Sequence, residues 1–193
     1  MTGRPRPPRR GRPRPCTRYP CVVDLTDYVP IVPDFPEPGV GFRDITPLLA
    51  APQAFRASID RLEAACADHP YDAVAAFDAR GFLWAAPLAD RTAKPLIPIR
   101  KAGKLPRQAA VESYRGEYAE VHVEMHADAV AAEDRILLVD DVIATGESMA
   151  AGIRLVEGLG GTVAACAALL EVGALSGRDR LDGYPVVSLL GKL

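Results

Sequence analysis

The apolar run Ile136-Leu137-Leu138-Val139 ends in two adjacent carboxylates, Asp140 and Asp141, and leads into Val142-Ile143-Ala144-Thr145-Gly146-Glu147-Ser148. No other stretch restricts the fold so tightly. An unbroken apolar run reads as a strand covered on both faces, as in a parallel sheet. Ser148 starts a segment in which Met149, Ile153 and Val156 recur at helical spacing. The loop between them therefore joins the carboxyl end of a strand to the amino end of a helix. Backbone N–H groups converge at such a junction, and the helix dipole favours an anion. Thr145 and Ser148 add hydroxyl donors, and Gly146 lets a phosphate approach the backbone closely. Asp140 and Asp141 repel phosphate and suit ribose hydroxyls or a divalent cation. A phosphate cradle beside two acids fits a sugar phosphate. It is not a Walker loop, which carries a lysine after its second glycine. A generic strand-to-helix turn of an α/β protein has the same outline.

The rest of the chain repeats the alternation. Residues 24–32 form a short helix or loop lead-in, and the prolines and glycines of residues 33–45 exclude a regular helix before about Thr46. Phe55, Ile59, Leu62 and Cys66 mark one face of a helix of about four turns. Residues 73–77 read as a small apolar strand, Asp78-Ala79-Arg80-Gly81 as a turn, and residues 82–90 as a helix. Strands follow at 95–99, 136–139 and 162–170, with a helix to about Leu159 between the last two. Strands alternating with helices indicate an α/β fold with a parallel sheet, and 193 residues suit one domain with a full core. Residues 100–110 are basic and irregular. Residues 111–127 alternate polar and apolar around a turn near Arg115-Gly116, a hairpin that can serve as a mobile lid. Within it His122 and His126 read as the solvent face of a strand, with metal binding as the sharper alternative.

Charge and cysteine content narrow the class. Residues 1–18 hold seven arginines and no acid. Setting these aside leaves 16 basic residues against 25 acidic ones, a net charge of −9, so a general nucleic-acid surface is not expected. Residues 1–23 are Arg- and Pro-rich without periodicity and are expected to be disordered. Arg10-Gly11-Arg12-Pro13 resembles the core of an AT-hook; attraction of any polyanion, an inert extension or a start codon assigned too early are the other readings. No apolar stretch has the length of a membrane span and no secretory leader is visible. Cys16, Cys21, Cys66 and Cys166 show neither metal-ligand spacing nor obvious pairing, as in a cytoplasmic protein with reduced thiols.

The 136–148 string resembles the phosphoribosyl pyrophosphate motif of type I phosphoribosyltransferases, where two acids precede a Thr-Gly-x-Ser/Thr loop. Glu147 departs from it, since close relatives usually carry glycine there. The resemblance implies that Glu147 points away from the phosphate. Four further strings narrow it: Phe35-Pro36-Glu37-Pro38-Gly39-Val40-Gly41-Phe42-Arg43-Asp44-Ile45-Thr46-Pro47-Leu48, Asp78-Ala79-Arg80-Gly81-Phe82, Ile99-Arg100-Lys101-Ala102-Gly103-Lys104-Leu105-Pro106 and Glu117-Tyr118. In this order they are similar to the adenine phosphoribosyltransferases, and the likeness runs from about Asp24 to Leu193.

The resemblance implies a type I phosphoribosyltransferase fold over residues 24–193: a central parallel sheet flanked by helices, a small hood at about 24–50 and a lid hairpin at about 105–127. It implies transfer of phosphoribose from phosphoribosyl pyrophosphate to adenine with Mg²⁺, in purine salvage, by a cytoplasmic homodimer with no membrane partner. Ala144, Thr145, Gly146, Glu147 and Ser148 would hold the 5′-phosphate. Asp140 and Asp141 would lie on the ribose and metal side. Arg80, Arg100, Lys101 and Lys104 would face pyrophosphate, and a non-proline cis peptide would fall at Asp78–Ala79. Phe42 and Val142 would cover the two faces of adenine, with Arg43 and the backbone at Gly41 reading its edge. Gly41 is usually a larger aliphatic residue in relatives. Glu117 and Tyr118 would act from the lid, with Arg80 as the third catalytic residue. A sister enzyme acting on hypoxanthine, xanthine or orotate is the neighbouring reading. A DNA-binding regulator that senses phosphoribosyl pyrophosphate is a further one, although residues 1–23 are too short for the winged-helix domain such regulators carry.

Overall fold

The computed structural model describes residues 23–116 and 119–191. The Arg/Pro-rich tail, its AT-hook-like string and the lid pair Glu117-Tyr118 lie outside the described residues. A seven-stranded sheet forms the centre, in the order β5-β6-β4-β3-β7-β8-β9, from strands β3 (Ala73–Phe77), β4 (Leu96–Lys101), β5 (Ala109–Arg115), β6 (Glu120–His126), β7 (Arg135–Ile143), β8 (Thr162–Glu171) and β9 (Val186–Leu190). The run from β4 to β9 is parallel, and the β5–β6 hairpin joins its edge by antiparallel pairing of β6 with β4. A two-stranded ribbon, β1 (Ile31–Val32) with β2 (Phe42–Arg43), stands apart at the amino end.

Helices α1 (Thr46–Ala50), α2 (Pro52–Ala65) and α3 (Phe82–Thr92) pack with the lead-in turn at Leu25–Tyr28 on one face of the sheet, and α4 (Glu147–Gly158) covers the other. Every residue of β3 is buried, as its doubly covered position requires. Alternate residues split between the two cores, Val74 and Ala76 on the α2–α3 side, Ala75 and Phe77 on the α4 side. Polar groups in the first core are satisfied: Trp84 Nε1 donates to Ser58 Oγ (2.9 Å), whose hydroxyl donates to the Phe55 carbonyl (2.7 Å). On the other face Gly152 lets α4 lie against Phe77, because a Cβ there would stand 2.6 Å from the Phe77 ring.

Two departures from the sequence reading matter for function. Strand β7 does not stop at Val139. Its ladder with β8 continues through Asp140–Ala168 and Val142–Leu170 to Ile143–Glu171, so both acids are strand residues held by a buried neighbour. In β6, the face bearing His122 and His126 is not simply a solvent face. His122 is exposed, but His126 is half-buried and Glu124 between them is buried. The turn at Gly103–Leu105 folds over this face, and Glu124 Oε1 accepts the N–H groups of Lys104 and Leu105, each at 2.7 Å. No metal-binding cluster of His, Cys, Asp and Glu occurs among the described residues, and no helix among them is long and apolar enough to cross a membrane.

Candidate active site

Three parallel strands, β3, β4 and β7, end at one rim, and their last residues and the turns that follow line a cleft of about 870 Å³. From β3 comes Asp78-Ala79-Arg80-Gly81, with a cis peptide between Asp78 and Ala79, where the sequence resemblance put one. Gly81 is required by space. A Cβ there would meet the carbonyl oxygens of Phe77 at 2.8 Å and Val139 at 2.9 Å. From β4 come Arg100 and Lys101, and from β7 Asp140, Asp141 and Val142. The loop Ala144-Thr145-Gly146 then turns into α4, whose first residues, Glu147 and Ser148, also line the cleft. Gly146 adopts φ +76°, a left-handed conformation that glycine tolerates at no steric cost.

The acids and cations of this rim are paired with one another. Arg80 Nε lies 2.9 Å from Asp141 Oδ2, and Arg100 Nε 3.1 Å from Asp78 Oδ2. A guanidinium nitrogen of Arg100 also donates to the Lys104 carbonyl at 3.2 Å. Burial, and then the neighbouring charge of Asp141, push the Asp140 carboxyl well above the ordinary carboxylate range. Burial raises Asp141 too, with the Arg80 guanidinium opposing it. Two crowded, partly desolvated carboxylates make a site that gains from a cation or from hydroxyl donors. A hard divalent ion would suit that donor set.

The structure thus brings Arg80, Arg100, Lys101, Asp140, Asp141, Val142 and residues 144–148 around one cavity. It does not bring all the expected residues there. Lys104 is exposed and outside the lining, while its backbone N–H is held by Glu124. Gly41, Phe42 and Arg43 are also outside it. Phe42, half-buried on β2, packs edge-on against Phe35 with ring centroids 5.1 Å apart. A Cβ on Gly41 would lie 3.2 Å from Ile31 Cγ2, so the neighbouring isoleucine occupies much of the space a larger residue would take. Val142 lines the cleft and packs on the buried core between the sheet and helices α1–α3, the core that also takes in Leu25, Ile45 and Leu48.

Several lining residues escape a reading of the sequence. Tyr114 and Arg115 reach the cleft from the hairpin. Arg180 reaches it from the short helical turn Gly177–Leu181, some thirty-five positions from the loop it touches. Glu124 and Arg178 hold loops in place without lining the cleft. The alternation in β6 marks Glu124 as a polar position, but its backbone partners come from a separate turn. Nothing periodic marks residues 173–185.

A glycine-bearing loop at a helix start, paired acids and a basic rim at the carboxyl edge of this sheet make up the arrangement of a type I phosphoribosyltransferase. Residues 48–189 match the phosphoribosyl transferase domain family. The adenine phosphoribosyltransferase of Thermobifida fusca (strain YX) is 50% identical over 154 residues, which cover 80% of this chain and 88% of the relative. Among solved structures, the adenine phosphoribosyltransferase of Thermoanaerobacter pseudethanolicus superposes with a TM-score of 0.83 at 42% identity, covering 86% of this chain and 97% of the other. That of Saccharomyces cerevisiae, a complex with an imino-altritol bisphosphate and adenine, gives 0.80 at 35% identity and covers 86% and 96%. The chain belongs to the adenine phosphoribosyltransferase family.

Proposed function

We propose that the protein converts adenine and phosphoribosyl pyrophosphate to AMP and pyrophosphate, as a purine-salvage enzyme. The observation that carries this reading is the meeting of Asp140, Asp141, Arg80, Arg100, Lys101 and the 144–148 loop around one cleft. In the reaction N9 of adenine forms a bond to ribose C1 as the bond from C1 to the pyrophosphate oxygen breaks. The N9-side proton is lost and pyrophosphate departs with the electron pair. The sugar becomes oxocarbenium-like, so catalysis needs a held ribose and cations at the leaving group.

Each requirement has residues to meet it. The loop and the amino end of α4 take the 5′-phosphate, with Thr145 and Ser148 as hydroxyl donors. Asp140 and Asp141 accept from the ribose hydroxyls. Arg80, Arg100 and Lys101 stabilise pyrophosphate, and Lys104 joins them if its loop swings in. Asp140 or Asp141 would stand beside a substrate-bound Mg²⁺, which would supply charge neutralisation of the pyrophosphate. Val142 covers one face of adenine, and Phe42, Arg43 and the Gly41 backbone complete the pocket once the hood closes on the base. Glu117 takes the purine proton, and Tyr118 helps the hairpin exclude water from the cation.

The reading extends to a homodimer in the cytoplasm. Cys66 and Cys166 are buried free thiols, raised by burial to about 11 and about 12, which suits a reducing compartment without requiring one. The homodimer follows from the family resemblance and is checked by sedimentation.

The deciding experiment is pyrophosphate release by the purified protein with Mg²⁺ and phosphoribosyl pyrophosphate, with adenine, hypoxanthine, guanine, xanthine and orotate tested separately. Turnover with adenine alone is expected. Turnover with another base keeps the chemistry and overturns the specificity. No turnover with any base rejects the enzymatic reading.

A further inference from the structure

Glu147 is an awkward residue for a phosphate cradle. Its carboxylate sits at the first position of α4 and lines the cleft itself. The structure supplies a partner for it. Arg180 places one guanidinium nitrogen 3.1 Å from Glu147 Oε1, and its Nε donates to the Thr145 carbonyl at 3.2 Å. One side chain thus holds two points of the same loop. A trans peptide directs its C=O and N–H to opposite sides, so holding the Thr145 oxygen turns the Gly146 N–H away from Arg180.

The segment that carries Arg180 is built to stay there. Gly146 and Gly177 touch backbone to backbone: a Cβ on Gly146 would meet the Gly177 carbonyl oxygen at 2.3 Å, and one on Gly177 the Ala144 carbonyl oxygen at 2.2 Å. Two residues before Arg180, Arg178 is fixed by the buried carboxylate of Glu171 (2.7 Å) and donates to the Val186 carbonyl at 3.0 Å. The Arg180 side chain itself remains half exposed, at 51%, and is a wall of the cleft.

We infer that Arg180 is a positioning residue of the 144–148 loop, which cancels the charge of Glu147 and so makes this acid-bearing loop able to take a phosphate monoester. The inference rests on the reading of residues 144–148 as the 5′-phosphate loop. A pair whose guanidinium is half exposed adds little to stability, because water screens it. Its effect is on anion binding, since an uncompensated carboxylate beside a phosphate dianion repels it in a partly desolvated cleft.

The test compares Arg180→Gln, Arg180→Lys, Glu147→Gln and the double variant Glu147→Gln with Arg180→Gln. Steady-state constants for both substrates are measured together with calorimetric binding of ribose 5-phosphate. Arg180→Gln is expected to raise KM for phosphoribosyl pyrophosphate and Kd for ribose 5-phosphate roughly tenfold, with KM for adenine and kcat changed less than about twofold. The double variant recovers most of that loss, and Arg180→Lys retains most of the affinity. An unchanged KM in Arg180→Gln overturns the inference, as does a double variant no better than Arg180→Gln. If the unmodified protein turns over adenine but binds no ribose 5-phosphate, the loop assignment fails and takes the inference with it.

Discussion

Asp141 bridges two neighbours at the floor of the cleft: its Oδ2 lies 2.9 Å from Arg80 Nε, and its backbone N–H donates to Asp140 Oδ1 at 2.8 Å. The pair of acids is therefore half neutralised: the Arg80 guanidinium pairs with Asp141 and acts on Asp140 through its charge. Two desolvated carboxylates sharing one guanidinium are an unfavourable concentration of negative charge.

Asp140→Asn should consequently stabilise the free protein while weakening it as an enzyme. Burial and Asp141 raise the Asp140 carboxyl in the folded state. Between the ordinary carboxylate value and that raised value, the folded chain binds more protons than the unfolded one, so stability falls as pH rises through the window. Asparagine still accepts the Asp141 N–H but carries no charge. The gain, on the order of 1 kcal/mol, should appear in thermal melts at pH 8 and shrink as the pH is lowered into the carboxylate range. Affinity for phosphoribosyl pyrophosphate should fall about tenfold, the cost of a charge-assisted hydrogen bond. A lower melting temperature than wild type at pH 8 would reject this account.

Glu124 should matter although it lies outside the cleft. Burial opposes its ionisation, but the N–H groups of Leu105, Gly103 and Lys104 outweigh that and hold its carboxyl below the usual range. Glu124→Ala leaves the Lys104 and Leu105 donors without their acceptor, a loss of about 1–3 kcal/mol. It also loosens the turn after Lys101, so KM for phosphoribosyl pyrophosphate should rise. The wild-type contribution is present at neutral pH and is lost as pH falls through the depressed value. Denaturant melts at neutral and acid pH check both statements; an Ala variant as stable as wild type at pH 7 contradicts them.

Much of this molecule is readable in the chain because local cause and effect coincide. Residues 73–77 are found as a strand within the limits the sequence predicts, since burial on both faces selects a short apolar run and Asp78 ends it. The junction at Ala144-Thr145-Gly146 between β7 and α4 is also legible, because a small, glycine-containing stretch precedes an amphipathic start. The end of β7 is not. Asp140 and Asp141 look like loop residues until β8 is known to pair with them. Arg180 is hidden for the same reason: its meaning depends on Gly177 meeting Gly146, a contact between distant segments. The burial of Glu124 depends on a turn some twenty positions earlier.

Gly81→Ala should be costly without any conformational strain at the residue itself, whose φ of −55° suits any amino acid. The obstacle is space, since the new methyl group would fall within 3 Å of the Phe77 and Val139 carbonyl oxygens, which are backbone and cannot swing aside. Overpacking of this kind costs roughly 1–3 kcal/mol. Because Gly81 follows Arg80 directly, kcat/KM should fall further than stability alone explains, through displacement of the guanidinium from Asp141. A variant with normal kinetics and a normal melting temperature would show that the turn has room to give.

The sharpest stability prediction concerns Arg178 and Glu171. The glutamate is 2% exposed, and Arg178 approaches both its oxygens, at 3.2 Å from Nε and 2.7 Å from the other nitrogen. Removing a guanidinium from a buried carboxylate is far worse than removing both groups, because the remaining charge keeps its desolvation cost. Arg178→Ala is expected to lose about 3 kcal/mol in urea unfolding at pH 7. The paired change Glu171→Leu with Arg178→Met should recover most of it. Both should weaken phosphoribosyl pyrophosphate binding, since either one releases the segment that holds Arg180 against the loop. Equal stability loss in the single and double variants would mean that packing around β9, and not the buried charge, sets the cost.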